Sequence, residues 1–229
     1  MIKMLRFTWW QVRLLAKYQI LTIALIIAVI YLLVLYFFKI LHDDLVTSLF
    51  VFLDPTAIGF IFIGAIILFE KGDNTLDAQI ITPMETRHYL WSKAIALLLP
   101  AIVCSSGIVF AAHGFDFNYF SFYISLILTS LIFTFLGIAG VIRVKTFNQY
   151  MVLIPLFTAP TSLPLLNFLG LTDWKWLYLI PTQSTLDLFI FSLGRNHYRI
   201  ELFDIAYLGL WTWLSYYFAR KSFEKKMYK

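Results

Sequence analysis

The sequence predicts an all-α membrane protein with six transmembrane helices in one domain, residues 1–229. Hydrophobic residues make up 61% of the chain and charged residues only 14%, whereas about a quarter of the residues in soluble domains are charged. The mean hydropathy is +0.81. Apolar stretches of about 20 residues recur along the chain, and each can cross a bilayer as a helix. No stretch is long and polar enough for a separate soluble domain.

Short polar or basic connections separate the six predicted spans. The first four cover residues 20–38, 45–69, 89–112 and 119–142, the fifth begins at residue 151, and the sixth runs from residue 201 or 204 to 220–221. Three prolines, Pro155, Pro160 and Pro164, interrupt the fifth region. Proline removes a helical hydrogen bond and clashes with the preceding turn. We therefore expect a short or bent fifth span, followed by an irregular segment.

Two further helical segments are expected at the membrane surfaces. Residues 1–18 mix Lys and Arg with Trp and Leu, which is typical of a helix lying among the lipid headgroups. The alternative is a plain cytoplasmic extension of the first span. Residues 163–200 form a broken segment. Within it, Ser184 or Thr185 can cap a helix that ends before Gly194, too short to span and therefore re-entrant or interfacial.

The distribution of basic residues predicts the orientation. Fourteen of the eighteen Lys and Arg residues fall on the side that carries both termini and the segment 70–93. The positive-inside rule places that side in the cytoplasm and residues 163–200 outside. Because the basic residues sort by membrane side, the net charge of +5 does not indicate a nucleic-acid partner. The single cysteine, Cys104, excludes an intramolecular disulfide.

One acidic residue, Asp54, lies inside an apolar region and is followed by Pro55. An ionisable residue within a membrane segment is a candidate functional residue. Alternatively, Asp54 is the N-cap of a shorter helix with Pro55 at its first position, near the outer surface. A third possibility is that Pro55 kinks a long helix. We expect the N-cap.

Segment 70–93 is the longest polar interruption in the first two-thirds of the chain. Thr82, Pro83 and Glu85 match a capping box, with Thr82 as the N-cap of the long helix that follows. Before it, Asn74 or Thr75 can cap a short helix up to residue 81. Leu76 and Ile80 then share one face of that helix, being four residues apart. The pattern predicts a short surface helix that could dock a partner; the alternative is a solvated loop.

Motifs of catalysis are missing from the sequence. It contains no Walker A motif, so the chain has no P-loop for ATP, and it contains neither HExxH nor GxSxG. The four histidines lie at predicted span ends or in loops, and we find no metal-binding cluster. The sequence predicts neither an enzyme nor a cofactor or metal site.

The second predicted span and the loop after it resemble the permease subunits of type-2 ABC exporters, and more narrowly the fluoroquinolone-export-like permeases. The resemblance rests on an acid, a Thr-Leu pair, a Thr-Pro pair and a later Tyr and Lys. The matching positions are Asp54, Pro55, Gly59, Phe60, Gly64, Glu70, Thr75, Leu76, Thr82, Pro83, Tyr89, Leu90 and Lys93.

The resemblance implies a division of labour between subunits. Two permease chains, identical or different, would form the pathway through a bacterial inner membrane, and two separate ATP-binding subunits would dock from the cytoplasm. The loop over residues 70–92 would hold the coupling helix, 75–81, which inserts into the ATPase. The coupling residues implied are Glu70, Thr75, Leu76, Ile80, Thr82 and Pro83. We also expect Glu70 to pair with a basic residue of the N-terminal segment or of the loop.

The function predicted is the export of an apolar or amphipathic substrate, drug-like or lipid-like, driven by ATP hydrolysis in a partner subunit. A membrane scaffold or assembly protein is a second hypothesis, and it would not need a capped surface helix in this loop. An ion-coupled secondary carrier is a third, and it would favour charged residues within spans and an internal repeat. Asp54 is the only residue that fits a carrier of this kind.

Overall fold

All the secondary structure in the described residues is helical. The structure, a computed structural model, describes residues 2–37, 43–73, 75, 85–194 and 201–227. The helices are α1 (Ile2–Lys17), α2 (Ile20–Phe37), α3 (Asp44–Ala57), a π-helical turn (Ile58–Phe62), α4 (Ile63–Gly72), α5 (Thr86–His113), α6 (Tyr119–Val141), α7 (Phe147–Ser162), α8 (Pro164–Phe168), a 3-10 turn (Lys175–Leu179), α9 (Pro181–Ser192) and α10 (Glu201–Met227).

Within the described residues, four helical stretches are long and apolar enough to cross a membrane. They are Asp44–Gly72, Thr86–His113, Tyr119–Val141 and Phe147–Phe168. The bent pair Phe7–Lys17 and Ile20–Val34 adds a fifth if it is counted as one span. The last helix, α10, is not in this set, because Asp204 and several Trp and Tyr residues lower its hydropathy. A sixth span therefore remains a prediction.

A sharp bend separates α1 from α2. The two helices meet at 66°, and between them Gln19 has a φ of 57°, a left-handed conformation that ends a right-handed helix. The bend lays α1 against α5 as well as α2. The bend makes α1 a separate segment from α2, and its position at the membrane surface stays a prediction.

The expected N-cap at Asp54 is wrong. The backbone of Asp54 and Pro55 is helical, and helix continues from α3 through the π-helical turn into α4. Pro55 therefore lies inside one long span, and the π-helical turn that follows takes up the local change in hydrogen bonding around it. The side chain of Asp54 lies outside the described residues.

The capping box predicted around Glu85 is also wrong. Helix α5 begins at Thr86, and Glu85 is its N-cap residue in an extended conformation, without a capping hydrogen bond from its side chain. The Glu85 carboxylate instead forms an exposed ion pair with Arg87. Glu85 therefore cannot occupy the third position of a helix that starts at Pro83.

The fifth span is longer and more regular than its prolines indicate. Helix α7 starts at Phe147 and runs through Pro155 and Pro160. The hydroxyls of Thr158 and Thr161 donate to the carbonyls of Ile154 and Phe157, at 3.0 and 3.2 Å. Threonine commonly bonds to the carbonyl one turn back inside a helix, and here the backbone stays helical around both prolines, which have no N–H to donate. The break comes only at residue 163.

The segment after α7 contains a short helix, as the sequence predicts, but with a different start. Helix α9 begins at Pro181, which takes the first helical position, so neither Ser184 nor Thr185 is its N-cap. It ends at Ser192, and Gly194 follows with a φ of 97°, which confirms the predicted glycine stop. The helix is buried along most of its length against α3, α6 and α10.

Helix α6 lies at the centre of the bundle. It packs against α3, α4, α5, α9, α10 and the π-helical turn. Two glycines allow its closest approach. A Cβ atom on Gly59 would meet Phe133 Cβ at 3.1 Å, and one on Gly137 would meet the carbonyl oxygen of Phe60 at 3.1 Å. The π-helical turn is thereby held directly against α6.

Candidate functional site

A buried ion pair joins the two helices that lead into and out of the predicted coupling loop. Lys93 Nζ of α5 lies 2.6 Å from Glu70 Oε1 of α4, and each side chain is 1% exposed. The Tyr89 hydroxyl donates to Glu70 Oε2 at 3.0 Å. Lys93 also donates to Gln11 Oε1 of α1 at 3.1 Å. The expected pairing of Glu70 with a basic residue of segment 70–93 is confirmed, and α1 adds a neutral acceptor.

This buried cluster holds helices together. Two charges taken out of water are tolerated only when they pair closely and their remaining donors and acceptors are satisfied. Here the Tyr89 hydroxyl donates to the Glu70 carboxylate, and the Gln11 side-chain oxygen accepts from the Lys93 ammonium. The ammonium also lies 4.9 Å from the centroid of the Tyr89 ring, a cation–π distance. The result is a fixed junction of α1, α4 and α5 at one end of the bundle.

The neighbouring residue Lys71 faces a different part of the bundle. Its ammonium donates to the backbone carbonyls of Val141, Ile142 and Val144, at 2.9, 3.1 and 2.8 Å. An ammonium has three N–H donors, and each of them has an acceptor here. These carbonyls belong to the end of α6 and the turn before α7, where helical partners run out. Lys71 therefore ties α4 to the α6–α7 turn.

Two weaker contacts complete the attachment at the end of α4. The Tyr18 hydroxyl donates to Asp73 Oδ2 at 3.0 Å. Burial, and to a smaller extent that hydrogen bond, raises the pKa of the Tyr18 hydroxyl above its ordinary value. The Thr75 hydroxyl donates to the Glu70 carbonyl oxygen at 3.2 Å. The Tyr18 contact attaches the start of the loop to the bend between α1 and α2, and the Thr75 contact attaches it to α4.

The predicted coupling residues are only partly within the described residues. Glu70 and Thr75 lie at the start of the loop, in contact with each other. Leu76, Ile80, Thr82 and Pro83 lie outside the described residues, so the predicted helix over residues 75–81 stays a prediction. Asp54 lies in α3, well before the loop in the same long span.

An apolar cavity of about 350 Å³ opens between α2, α3 and α7. Its lining comes from several elements and includes Tyr31, Phe52, Ile61, Thr158, Ala159 and Leu165. The hydroxyl of Thr158 is turned back onto its own helix. Clefts of this size and character are typical of small-molecule sites.

A tyrosine fastens α7 to the π-helical turn beside this cavity. The Tyr150 hydroxyl donates to the carbonyl oxygen of Phe60, and the ring of Tyr150 is fully buried. The rings of Tyr150 and Phe60 are stacked with their centroids 6.0 Å apart. Gly64 leaves room for the Tyr150 ring, since a Cβ there would collide with it.

Sequence reasoning missed most of these partners. Lys93 carries a signal that could have been used, because a charge at the start of an apolar helix calls for a buried partner. Gln11 and Tyr150 carry none, since their contacts join elements that are remote in the sequence. The sequence alone indicates only that Lys71 is a basic residue at a helix end.

Comparison with known proteins gives a family assignment. The model of the fluoroquinolones export permease protein family matches residues 3–228. Two fluoroquinolones export permease proteins of Mycobacterium tuberculosis, from strains CDC 1551 / Oshkosh and ATCC 25618 / H37Rv, are each 28% identical over 137 residues. That region is 58% of this chain and 56% of each relative, so the chain spans about half the length of the curated relatives it matches. No solved structure matches the chain.

The family match covers nearly the whole chain and agrees with the apolar helices. The protein is accordingly a multi-pass bacterial membrane protein whose family exports substrates. The chain belongs to the fluoroquinolones export permease protein family.

Proposed function

We propose that this chain is the membrane-spanning permease subunit of an ATP-driven ABC exporter. The observation that carries the proposal is the buried junction of Glu70, Lys93, Tyr89 and Gln11. A chain that lacks a Walker A motif needs a partner to supply ATP hydrolysis. Because buried contacts join the helices on either side of the loop, a displacement of the loop by a partner would move these helices. A loosely attached loop would move without them.

Coupling takes place at the loop. The segment 75–81 docks on a cytoplasmic ATP-binding subunit through Leu76 and Ile80, and Thr82 and Pro83 set the turn that follows it. Glu70 and Thr75 hold the start of the loop on α4. Closure of the ATPase pair then moves the anchored helices as rigid bodies between two states of access. A second permease chain, identical or different, completes the pathway.

The substrate is an apolar or amphipathic small molecule. The cavity between α2, α3 and α7 supports this, because its described lining is mainly aliphatic and aromatic. The two mycobacterial relatives are named for fluoroquinolones, and we propose a drug-like cargo of that kind for this chain. Both termini and the loop face the cytoplasm. Asp54 is the residue to test if transport also depends on an ion gradient.

Co-purification tests the proposal. The tagged chain is isolated from its host membrane in a mild detergent, and the eluate is examined by mass spectrometry and for ATP hydrolysis. We expect an ABC ATP-binding subunit with the unsubstituted chain and its loss with Leu76→Asp and Ile80→Asp together. The matched control is Phe115→Asp, a fully described, exposed position in the α5–α6 connection, which should retain the ATPase.

Two results would contradict the proposal. One is that no ATP-binding subunit co-purifies with the unsubstituted chain in any of several detergents. The other is that the loop variant retains as much ATPase as the control. Either result would favour the scaffold or the ion-coupled carrier.

A further inference from the structure

Two adjacent residues at the end of α4 bind different helices of the bundle. Glu70 is bound by Lys93 and Tyr89 of α5, and through Lys93 the contact reaches α1. Lys71 binds the carbonyls at the end of α6 and in the turn that leads into α7. The start of the coupling loop is therefore linked separately to the α1–α5 side and to α7.

Helix α7 is the element that this second link can move. It is by far the least buried of the four candidate spans, so few contacts resist its displacement. Its outward-facing side chains include Val152 and Leu156, at 74% and 68% exposed. It also supplies Thr158 and Ala159 to the wall of the cavity. A small shift of α7 therefore changes the shape of that cavity.

The first turns of α7 are fastened to the same long span that carries Lys71. Tyr150 donates to the Phe60 carbonyl in the π-helical turn, and its ring fills the space left by Gly64. Helix α7 is thus attached to the span Asp44–Gly72 at Phe60 and, through the preceding turn, at Lys71. Two points of attachment make the start of α7 follow that span rather than slide past it.

We propose that Lys71 is a positioning residue that transmits displacement of the coupling loop to α7 and so to the cavity. The inference rests on the proposed function and adds to it the route by which loop movement reaches the cargo site. The ammonium suits this role because its three donors match three carbonyls that converge on it. The planar guanidinium of arginine cannot reproduce that arrangement. In Lys71→Met, the three backbone carbonyls lose the ammonium that donates to them.

The test compares Lys71→Met and Lys71→Arg with Lys145→Met, in the complex of the chain with its co-purified ATPase. Lys145 lies in the same turn with an exposed side chain, so its substitution removes the same charge without the three carbonyl contacts. Each complex is assayed for bound ATPase, ATP hydrolysis and ATP-dependent transport of a fluorescent fluoroquinolone into vesicles. Spin labels at Ala16→Cys and Asn148→Cys, in a Cys104→Ala background, report movement of α7 relative to α1.

Lys71→Met is expected to retain bound ATPase and ATP hydrolysis while transport falls about fivefold or more, a loss typical of broken coupling. The change in label distance on addition of ATP and vanadate should disappear. Lys71→Arg should lose transport to a smaller extent, and Lys145→Met should behave like the unsubstituted chain.

Three outcomes would overturn the inference. Transport that falls only in proportion to protein yield and ATP hydrolysis would mean that Lys71 merely stabilises the fold. Equal behaviour of Lys71→Met and Lys145→Met would mean that the contacts play no part in coupling. If no ATPase co-purifies even with the unsubstituted chain, the proposed function fails and this inference fails with it, whereas the first two outcomes leave the proposed function standing.

Discussion

Glu70 and Lys93 form an ion pair of 2.6 Å between side chains that are each 1% exposed. Glu70 lies near the end of the candidate span Asp44–Gly72 and Lys93 near the start of the candidate span Thr86–His113, so the pair links the helices on either side of the intervening loop. The first prediction concerns this pair. Glu70→Gln should destabilise the protein by roughly 3–5 kcal/mol, because it leaves the Lys93 ammonium buried without a counter-charge. Thermal unfolding in detergent, followed by tryptophan fluorescence, measures the change.

The exposed pair of Glu85 and Arg87, whose side chains are 58% and 61% exposed, provides the matched control. Glu85→Gln should lower the free energy of unfolding by about 0–1 kcal/mol, the usual range for a solvated ion pair. Adding Lys93→Met to Glu70→Gln should restore part of the lost stability, since the buried charge is then removed. Equal effects of the two single substitutions would contradict the buried junction.

The contact of Gly64 with Tyr150 predicts a difference between two glycines of the same helix. Gly64→Ala should destabilise the protein by about 1–3 kcal/mol, as expected when a buried position is overpacked, because its Cβ collides with the Tyr150 ring. A Cβ atom at Gly72 would meet no atom within 4 Å, so Gly72→Ala should be neutral or slightly stabilising. The same thermal unfolding assay compares them, and equal losses would contradict the packing of α7 on α4.

The hydroxyl of Tyr150 is predicted to stabilise the π-helical turn. Tyr150→Phe should cost about 1–3 kcal/mol, because the buried carbonyl of Phe60 loses its donor. Tyr217→Phe changes an exposed tyrosine of α10 and should leave stability unchanged. A loss confined to Tyr217→Phe, or no loss in either variant, would argue against the contact.

The cavity predicts a steric effect on transport. Ala159→Trp places a bulky ring at a lining position and should reduce efflux of a fluoroquinolone severalfold, while the permease still assembles with its ATPase. Val152→Trp adds the same ring to an exposed position of the same helix and should transport normally. Drug accumulation in cells expressing each variant gives the comparison. Unchanged efflux by Ala159→Trp would place the cargo elsewhere.

The orientation can be checked by labelling cysteines in the Cys104→Ala background. A cysteine at Asp173, in the exposed segment after α8, should react with a membrane-impermeant maleimide added to intact cells. A cysteine at Lys145 should react only after the cells are opened. The reverse pattern would show that the positive-inside assignment is wrong.

Much of the fold could be predicted because membrane helices are defined by local apolar length. A separate N-terminal helix, the candidate spans Thr86–His113 and Tyr119–Val141, and the stop at Gly194 all follow from short sequence patterns. The errors concern proline and caps. Pro155 and Pro160 lie in a helix that continues through them. Asp54 lies inside a helix and does not cap one, and Glu85 is the N-cap residue of α5, not the third helical residue of a capping box.

The candidate site could be predicted only in part, because its contacts join distant segments. The importance of Glu70 and its need for a basic partner can be inferred from the sequence. The choice of Lys93, the acceptor from Gln11 and the three carbonyls bound by Lys71 depend on how α1, α5 and α6 pack. No local pattern contains that information.

ATP-dependent transport by the purified complex tests the central claim most directly. The chain and its co-purified ATPase are reconstituted in vesicles, and uptake of a labelled fluoroquinolone is followed with ATP, with ATP and vanadate, and with a proton gradient alone. We predict uptake only with ATP, its inhibition by vanadate, and its loss in Glu70→Gln. Uptake driven by the proton gradient without ATP, or no effect of ATP on uptake, would contradict the account.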